Sequence, residues 1–506
     1  MLRIIKVENG MVEGIPAADP RITSFKGIPF AAPPVGSNRW RAPQPAQNWS
    51  GIFKAYNFAP ISMQEKTVID KKNIYTREWS VDPDIPMDED CLYLNVWTPA
   101  CNTDEKLPVF VWYFGGGLQV GHPSEMEFDG ERIARRGIVV VTLNYRLNVF
   151  GFLCHPEISS ESPEAPANFG HLDQQFGTMW VKRNIAAFGG DPDNITIGGQ
   201  SAGGMSVLTQ VTSAKNNGLF QKAIIQSGMF AKLYPNNRAP EMGLDLKEAE
   251  KKGVDFFKFL GVSTLDEARK LDAKYIRDKS VEYKSRGTFG TIVDNVFNLD
   301  DPFKLFVRNK HLNVPILWGH TSSEFFTSPK VENLGELERM ASDMFGSDAK
   351  EFLKLCNTDS GDVDEAVKNA TISSIEYPIR IASQANADNC SAPMYYYVFD
   401  AEIPGWDDPG TFHSVDLWFF FETLAKCWRP FVGKHYDLAR QMCNYWSNFI
   451  SSGDPNGKDS TGEDMPYWDA YTPDKPYAIV FKDKPEFVKK QPSDIMKFLV
   501  KQYFKN

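Results

Sequence analysis

Ten residues, Ile195-Thr196-Ile197-Gly198-Gly199-Gln200-Ser201-Ala202-Gly203-Gly204, restrict this chain more than any other stretch. A short β-branched run leads into Gly-x-Ser-x-Gly, the pattern a strand needs when it must turn sharply into a helix and leave one hydroxyl exposed at the bend. Ser201 is that hydroxyl. Gly199 and Gly203 flank it because the turn strains the backbone of the serine, and side chains at those positions would collide as strand and helix close on each other. Upstream, Thr178 to Phe188 carries apolar residues at helical spacing and stops at Gly189-Gly190. The order read is helix, turn, strand, Ser201, helix.

Similar strands recur along the chain. Leu107 to Tyr113 is an apolar run suited to a strand buried on both faces, and it ends in Phe114-Gly115-Gly116-Gly117. Consecutive glycines after a buried strand let backbone N–H groups point outward without side-chain obstruction, which suits a place where negative charge must be held. Further strands are expected at Ile4 to Val7, at Ile22 to Phe25, from Leu92 through the alternating Tyr93, Asn95 and Trp97, and at Ile138 to Leu143. Others are expected at Ala223 to Ser227, Val314 to Gly319 and Met394 to Phe399. Alternation of strands with helical stretches implies an α/β fold with a mostly parallel central sheet and helices on both faces. Residues 231–300 and 334–390 are charge-rich and amphipathic, and they are read as helical insertions in one domain spanning 1–506. The tail Ile495 to Leu499 is amphipathic and is expected to pack on the core.

Composition excludes several classes. A net charge of −10 without any basic block argues against nucleic acid or an anionic membrane as partner. The first ten residues place charges inside their only apolar cluster, so they are not a signal peptide, and no apolar run approaches the ~20 residues of a membrane helix. Seven cysteines, Cys91, Cys101, Cys154, Cys356, Cys390, Cys427 and Cys443, are scattered without a Cys-x-x-Cys pair, which speaks against a zinc site or a disulfide framework. A cytoplasmic protein is expected, monomeric or weakly self-associating, with no metal and no organic cofactor.

A serine hydroxyl is a poor nucleophile at neutral pH and needs a base within hydrogen-bond reach, held in turn by an acid. In α/β-hydrolases the chain order is serine, acid, histidine. Of seven histidines, His311, His320, His413 and His435 follow Ser201. Glu324, five residues past the strand that ends at Gly319, is the best placed carboxylate, which leaves His413 or His435 as the base. His413 sits in a loop after the strand at Met394 to Phe399, whereas His435 introduces a helix, and the loop position is the better one.

With these residues in place the chain resembles the type-B carboxylesterases, the carboxylesterase/cholinesterase branch of the α/β-hydrolase fold. Matching blocks run nearly from end to end: Phe25 to Ala31, Glu89 to Val96, Asn144 to Leu147, Asn168 to Gln174, Asn184 to Gly204 and Phe412 to Ser414. The resemblance implies a serine carboxylesterase acting on small esters through an acyl-enzyme. Ser201 is then the nucleophile, His413 the general base and acid, Glu324 the third member, and the N–H groups of Gly116, Gly117 and Ala202 the oxyanion donors. Ser227 resembles a serine that supports the triad, and Arg39 with Glu89 and Arg146 with Asp173 stand where the family has ion pairs. The family often has His before the glycine triplet and Glu before the serine; here these are Phe114 and Gln200, a change of polarity around the site. Secreted relatives pair the cysteine matching Cys91 with one in a Phe-Gly-Pro-x-Cys segment. Phe58-Ala59-Pro60-Ile61-Ser62 has no such cysteine, which is in keeping with a reducing compartment and with the bacterial members of p-nitrobenzyl-esterase type. Rival readings are a specialist for aryl esters, such as a feruloyl or hydroxycinnamoyl esterase, a lipase for longer acyl chains, and a non-catalytic binding module of the same fold. Phe114, Phe325, Phe326 and Trp418, beside the motifs, are read either as pocket lining or as core, and the Trp79 segment as a cover for the mouth of the gorge.

Overall fold

A computed structural model describes all 506 residues except 67, 69, 71, 80, 81, 83, 232, 236–242, 390, 391, 473 and 506. Cys390 therefore lies outside the described residues. Eleven strands form the central sheet: β1 (Ile15–Pro16), β2 (Thr23–Pro29), β3 (Tyr93–Thr98), β4 (Leu107–Tyr113), β5 (Val139–Leu143), β6 (Gly190–Gln200), β7 (Lys222–Gln226), β8 (Ile316–Thr321), β9 (Met394–Phe399), β10 (Ala478–Phe481) and β11 (Pro485–Val488). Their spatial order is β11-β10-β9-β8-β7-β6-β4-β5-β3-β2-β1. From β5 to β10 every neighbouring pair is parallel. The two edges are antiparallel, where β1, β2, β3 and β5 pair in succession and where β11 folds back on β10. The expected strand at Ile4 to Val7 exists, but it pairs with Gly10–Glu13 in a separate small sheet.

The parallel strands are apolar because both of their faces are covered. Val109 through Tyr113 and the whole of β5 are buried. In β3 the alternation of the sequence is not an alternation of exposure. Asn95 is buried, donates to Thr142 Oγ1 at 3.0 Å and accepts from Gly27 N–H at 3.0 Å, so a polar residue sits inside without an unpaired group.

The principal helices are α1 (Ile74–Trp79), α2 (Phe169–Asn184), α3 (Ala202–Thr212), α4 (Leu246–Leu260), α5 (Ala273–Tyr283), α6 (Leu334–Phe345), α7 (Glu376–Asn389), α8 (Gly433–Ser452) and α9 (Asp494–Tyr503). The helix expected over Thr178 to Phe188 begins nine residues earlier, and its last four expected residues form a tighter 3₁₀ turn. Its first half reads as polar, with His171, Asp173 and Gln174, yet these side chains are buried and paired. Gln174 donates to Ser206 Oγ on α3, and Asp173 takes a two-pronged bond from Arg146. Polar pairing replaced the apolar stripe that periodicity looks for. Helices α4 and α5 lie between β7 and β8, and α6 and α7 between β8 and β9, where the helical insertions were expected. The tail helix α9 buries Ile495, Met496, Phe498 and Leu499 against the core. Among the described residues no helix is long and apolar enough to cross a membrane.

Candidate active site

In a parallel sheet the carboxyl ends of the strands all open on one side, and ligands bind in the crevice there. Five of the residues singled out in the sequence follow five adjacent strands: Gly116 after β4, Ser201 after β6, Ser227 after β7, Glu324 after β8 and His413 in the loop beyond β9.

The bend at Ser201 is held from both sides. Its N–H donates to the Gln226 carbonyl at 2.9 Å, and its own carbonyl accepts from Met205 N–H at 2.8 Å. Its φ of 55° and ψ of −124° lie where side-chain-bearing residues rarely stay, a strain that surrounding contacts must maintain. Those contacts need bare backbone: a Cβ on Gly203 would stand 2.0 Å from the Tyr113 carbonyl oxygen, and one on Gly199 would stand 2.4 Å from the Gly203 carbonyl carbon. The side-chain collision expected from the Gly-x-Ser-x-Gly pattern is thus a contact with β4 as well as between strand and helix.

Gly116 turns back on itself, its carbonyl accepting from the N–H groups of Gln119 and Val120 at 3.0 and 3.1 Å. Gln64 braces the end of this turn through a paired bond to the Gly121 amide. Among the described residues the N–H groups of Gly116 and Gly117 have no acceptor in the protein, nor does that of Ala202 at the first position of α3. Phe114 does not reach into the crevice. It is buried and stacks on Tyr145 with ring centroids 4.3 Å apart, while the Tyr145 hydroxyl donates to the Phe114 carbonyl.

Glu324 and His413 are brought together from loops that lie 89 positions apart. His413 Nδ1 donates to Glu324 Oε2. The other carboxylate oxygen accepts from Ser227 Oγ at 2.6 Å and from Thr321 N–H at 2.8 Å. Burial alone would raise the Glu324 carboxyl, but the His413 ring, His320 and the Ser227 bond outweigh it and hold the group below its ordinary range. Ser227 has a φ of 45°, the conformation that turns its hydroxyl toward this carboxylate as β7 ends. Gln200, immediately before the serine, places Nε2 at 3.2 Å from His413 Nε2. His435, the rival base, is occupied elsewhere: its Nδ1 accepts from Val432 N–H and caps α8. His320 is buried and bonded to Tyr396; it acts on Glu324 through its charge and makes no hydrogen bond to the other members of the constellation.

Three contributors were not singled out in the sequence. Asp416, three residues past His413, is wholly buried and accepts from the Tyr397 hydroxyl at 2.8 Å and from Gln226 Nε2 at 3.2 Å. Burial and the charge of Glu324 push its carboxyl up to about 6. Tyr75 on α1 feels the same carboxylate, for burial and Glu324 both raise its phenol. Phe230 packs on Phe325 at 5.8 Å, and Phe325 in turn lies 4.5 Å from the His413 ring. No local pattern marks these residues, because their meaning comes from what the sheet places beside them. The aromatic readings divide: Trp418 and Phe114 are core, whereas Phe325 and Phe326 are exposed.

Helix α1 also reaches the His413 loop. Tyr75 stacks on Trp79, and Trp79 meets Phe412, the neighbour of His413, edge-on at 6.1 Å. The helix is fastened by buried charges. Arg429 Nη2 bonds Glu78 Oε1 at 2.6 Å with both side chains fully buried, and Asp407 bonds both Arg429 and Arg77. Arg39 with Glu89 and Arg146 with Asp173 form the two buried ion pairs expected of the family. Among the described residues no cluster of His, Cys, Asp or Glu could hold a metal ion, and the six described cysteines are unpaired.

A model of the carboxylesterase family matches residues 2–497. The chain is 31% identical over 464 residues to para-nitrobenzyl esterase of Bacillus subtilis (strain 168), covering 90% of this chain and 91% of that one. It is 30% identical over 469 residues to fumonisin B1 esterase of Sphingopyxis macrogoltabida, covering 89% and 82%. A solved structure of a PNB esterase superposes with a TM-score of 0.80 at 26% identity over 99% of each chain. On the strength of the family match and of these similarities, the chain belongs to the carboxylesterase family, with the α/β-hydrolase fold, and is a hydrolase of carboxylic esters.

Proposed function

We propose that Ser201, His413 and Glu324 carry the hydrolysis and that Gly116, Gly117 and Ala202 hold the oxyanion. Ser201 Oγ attacks the ester carbonyl as its proton passes to His413 Nε2, and the alcohol leaves with that proton. Water then attacks the acyl-enzyme with His413 again as base. Glu324 stays ionised, fixes the tautomer with Nδ1 protonated and stabilises the imidazolium. The observation that carries this reading is the bonded chain from Ser227 through Glu324 to His413, set beside a strained serine whose neighbouring loop presents N–H groups without acceptors. A developing negative charge is what such preorganised donors stabilise most.

The chain works, in this reading, as one catalytic domain whose segments 231–300 and 334–390 shape the access to the crevice. The unpaired Cys91 supports a reducing compartment. The two aromatic groups beside the His413 loop, Tyr75 with Trp79 and Phe412, and Phe230 with Phe325, favour a planar or aromatic group on one side of the ester. A p-nitrobenzyl ester, after which the Bacillus relative is named, has that shape. Comparing specificity constants for p-nitrobenzyl and hydroxycinnamoyl esters with those for short aliphatic esters separates an aryl preference from a general esterase. Equal constants refute the preference.

The catalytic assignment is tested with p-nitrophenyl acetate and a fluorophosphonate mapped by mass spectrometry. Ser201→Ala is expected to lower kcat on the order of a millionfold and to abolish labelling. Gly116→Pro removes one N–H and also cannot hold the φ of 106° or the 2.0 Å approach of a Cβ to the Val120 carbonyl oxygen, so it is expected to cost at least the roughly hundred-fold in turnover that loss of one donor brings. Full turnover in a folded Ser201→Ala protein would sink the assignment.

A further inference from the structure

The ring of His413 is held at both nitrogens. Nδ1 donates to Glu324, and that bond leaves the neutral ring with its lone pair on Nε2. A lone pair in a buried pocket calls for a donor, and the donor present is Nε2 of Gln200, at 3.2 Å. Gln200 is 2% exposed and His413 7%, so water does not compete freely for either group. The remaining amide atom of Gln200, Oε1, lies against Gly115, where a Cβ would stand 3.1 Å from it. Glycine at 115 makes the space in which the amide turns its N–H toward the imidazole. The hydroxyl of Ser201, one residue along, has no hydrogen-bond partner among the described residues, so the base faces an amide rather than its nucleophile.

Resting on the assignment of Ser201 as nucleophile and His413 as base, we propose that Gln200 is a positioning residue that latches the base in the free enzyme. Its amide N–H occupies the His413 lone pair until an ester enters and displaces it. Only then does the Ser201 Oγ–H bond break, its proton joining Nε2 while the freed oxygen pair bonds the carbonyl carbon and the carbonyl π pair moves onto oxygen. A glutamate here, as is frequent in the family, carries no N–H when ionised and cannot cap a lone pair. The latch is a consequence of glutamine.

A hydrogen bond between neutral groups corresponds to about a three- to ten-fold change in rate or equilibrium. The test compares wild type with Gln200→Met by stopped-flow labelling with a small methyl fluorophosphonate, chosen as too small to push the amide aside, so that in wild type the latch must open on its own before Ser201 reacts. Labelling of Ser201 is expected to be about three- to ten-fold faster in the variant. For p-nitrobenzyl acetate, which displaces the amide on binding, KM should fall by a similar factor with kcat nearly unchanged, a split that general loosening of the site does not produce. Independently of any variant, ¹⁵N NMR of the histidine-labelled wild type should place His413 Nε2 at the lower frequency of a hydrogen-bonded acceptor. Equal or slower labelling of Gln200→Met, or a wild-type Nε2 resonance at the position of a bare lone pair, overturns the latch while leaving Ser201 labelled. A folded wild type that takes no label on Ser201 overturns the underlying assignment, and the latch with it.

Discussion

Asp416 shows how closely the site balances its charges. Its carboxyl is buried beside Glu324, and the two are shifted in opposite directions: Glu324 is held low by His413, whereas burial and the Glu324 charge push Asp416 up to about 6. Between the ordinary 3.8 and about 6, the folded chain keeps a proton on Asp416 that the unfolded chain has released. The contribution of this residue to stability therefore falls as pH rises through that interval, by a total on the order of 3 kcal/mol, and stays low above it. Asp416→Asn is neutral at every pH and can still bond Tyr397. The variant should melt several degrees above wild type at pH 8 and show little or no advantage at pH 4. A difference in melting temperature that is the same at both values would show that the Asp416 carboxyl does not titrate between them. The opposite dependence is expected of Glu324, whose stabilising charge is lost as acid protonates it.

At the scale of elements, α1 is the piece whose position depends most on distant residues. It is short, and isolated helices of such length are not stable on their own. What holds it is Glu78 buried against Arg429, with Asp407 bridging Arg429 and Arg77. Removing one member of a buried pair leaves the other charge uncompensated, a loss of about 3–5 kcal/mol. Arg429→Met should show that loss in chemical denaturation and should raise KM for aryl esters as Trp79 leaves Phe412. Adding Glu78→Gln should recover most of the stability; no recovery would mean that the packing of Arg429 on Trp428 and Phe412, rather than its charge, holds the element. These partners also mark the boundary of what was legible beforehand. Ser201, Glu324 and His413 could be read because the elbow pattern is local and the order along the chain prunes the choices. The parallel strands could be read because strands covered on both faces must be apolar. Arg77 and Asp407 are 330 positions apart, and nothing in the neighbourhood of either points to the other. The start of α2 escaped notice because its buried side is polar, and the orientation of the Gln200 amide because it is set by a ring more than two hundred residues away.

The whole molecule is a mostly parallel sheet whose strand ends carry the proposed catalytic residues, closed around a core that includes Cys91. That thiol is buried and pushed up to about 12 by desolvation, which makes it inert as a nucleophile. Its neighbour is Ser62, whose hydroxyl lies 3.4 Å from the sulfur, at the position that the resemblance to secreted carboxylesterases assigns to a partner cysteine. Ser62→Cys is expected to form a disulfide with Cys91 when purified under oxidising conditions, seen as the loss of two thiols in a mass-shift titration. It should stabilise the chain by about 2–4 kcal/mol over the reduced form. Two free thiols after exhaustive oxidation would show that the side chains do not align. Serine and cysteine differ only in oxygen against sulfur, so the place that holds Ser62 against Cys91 needs a single substitution to hold a staple. In evolutionary terms the backbone already brings the two side chains together, and gaining the crosslink would require no change of architecture.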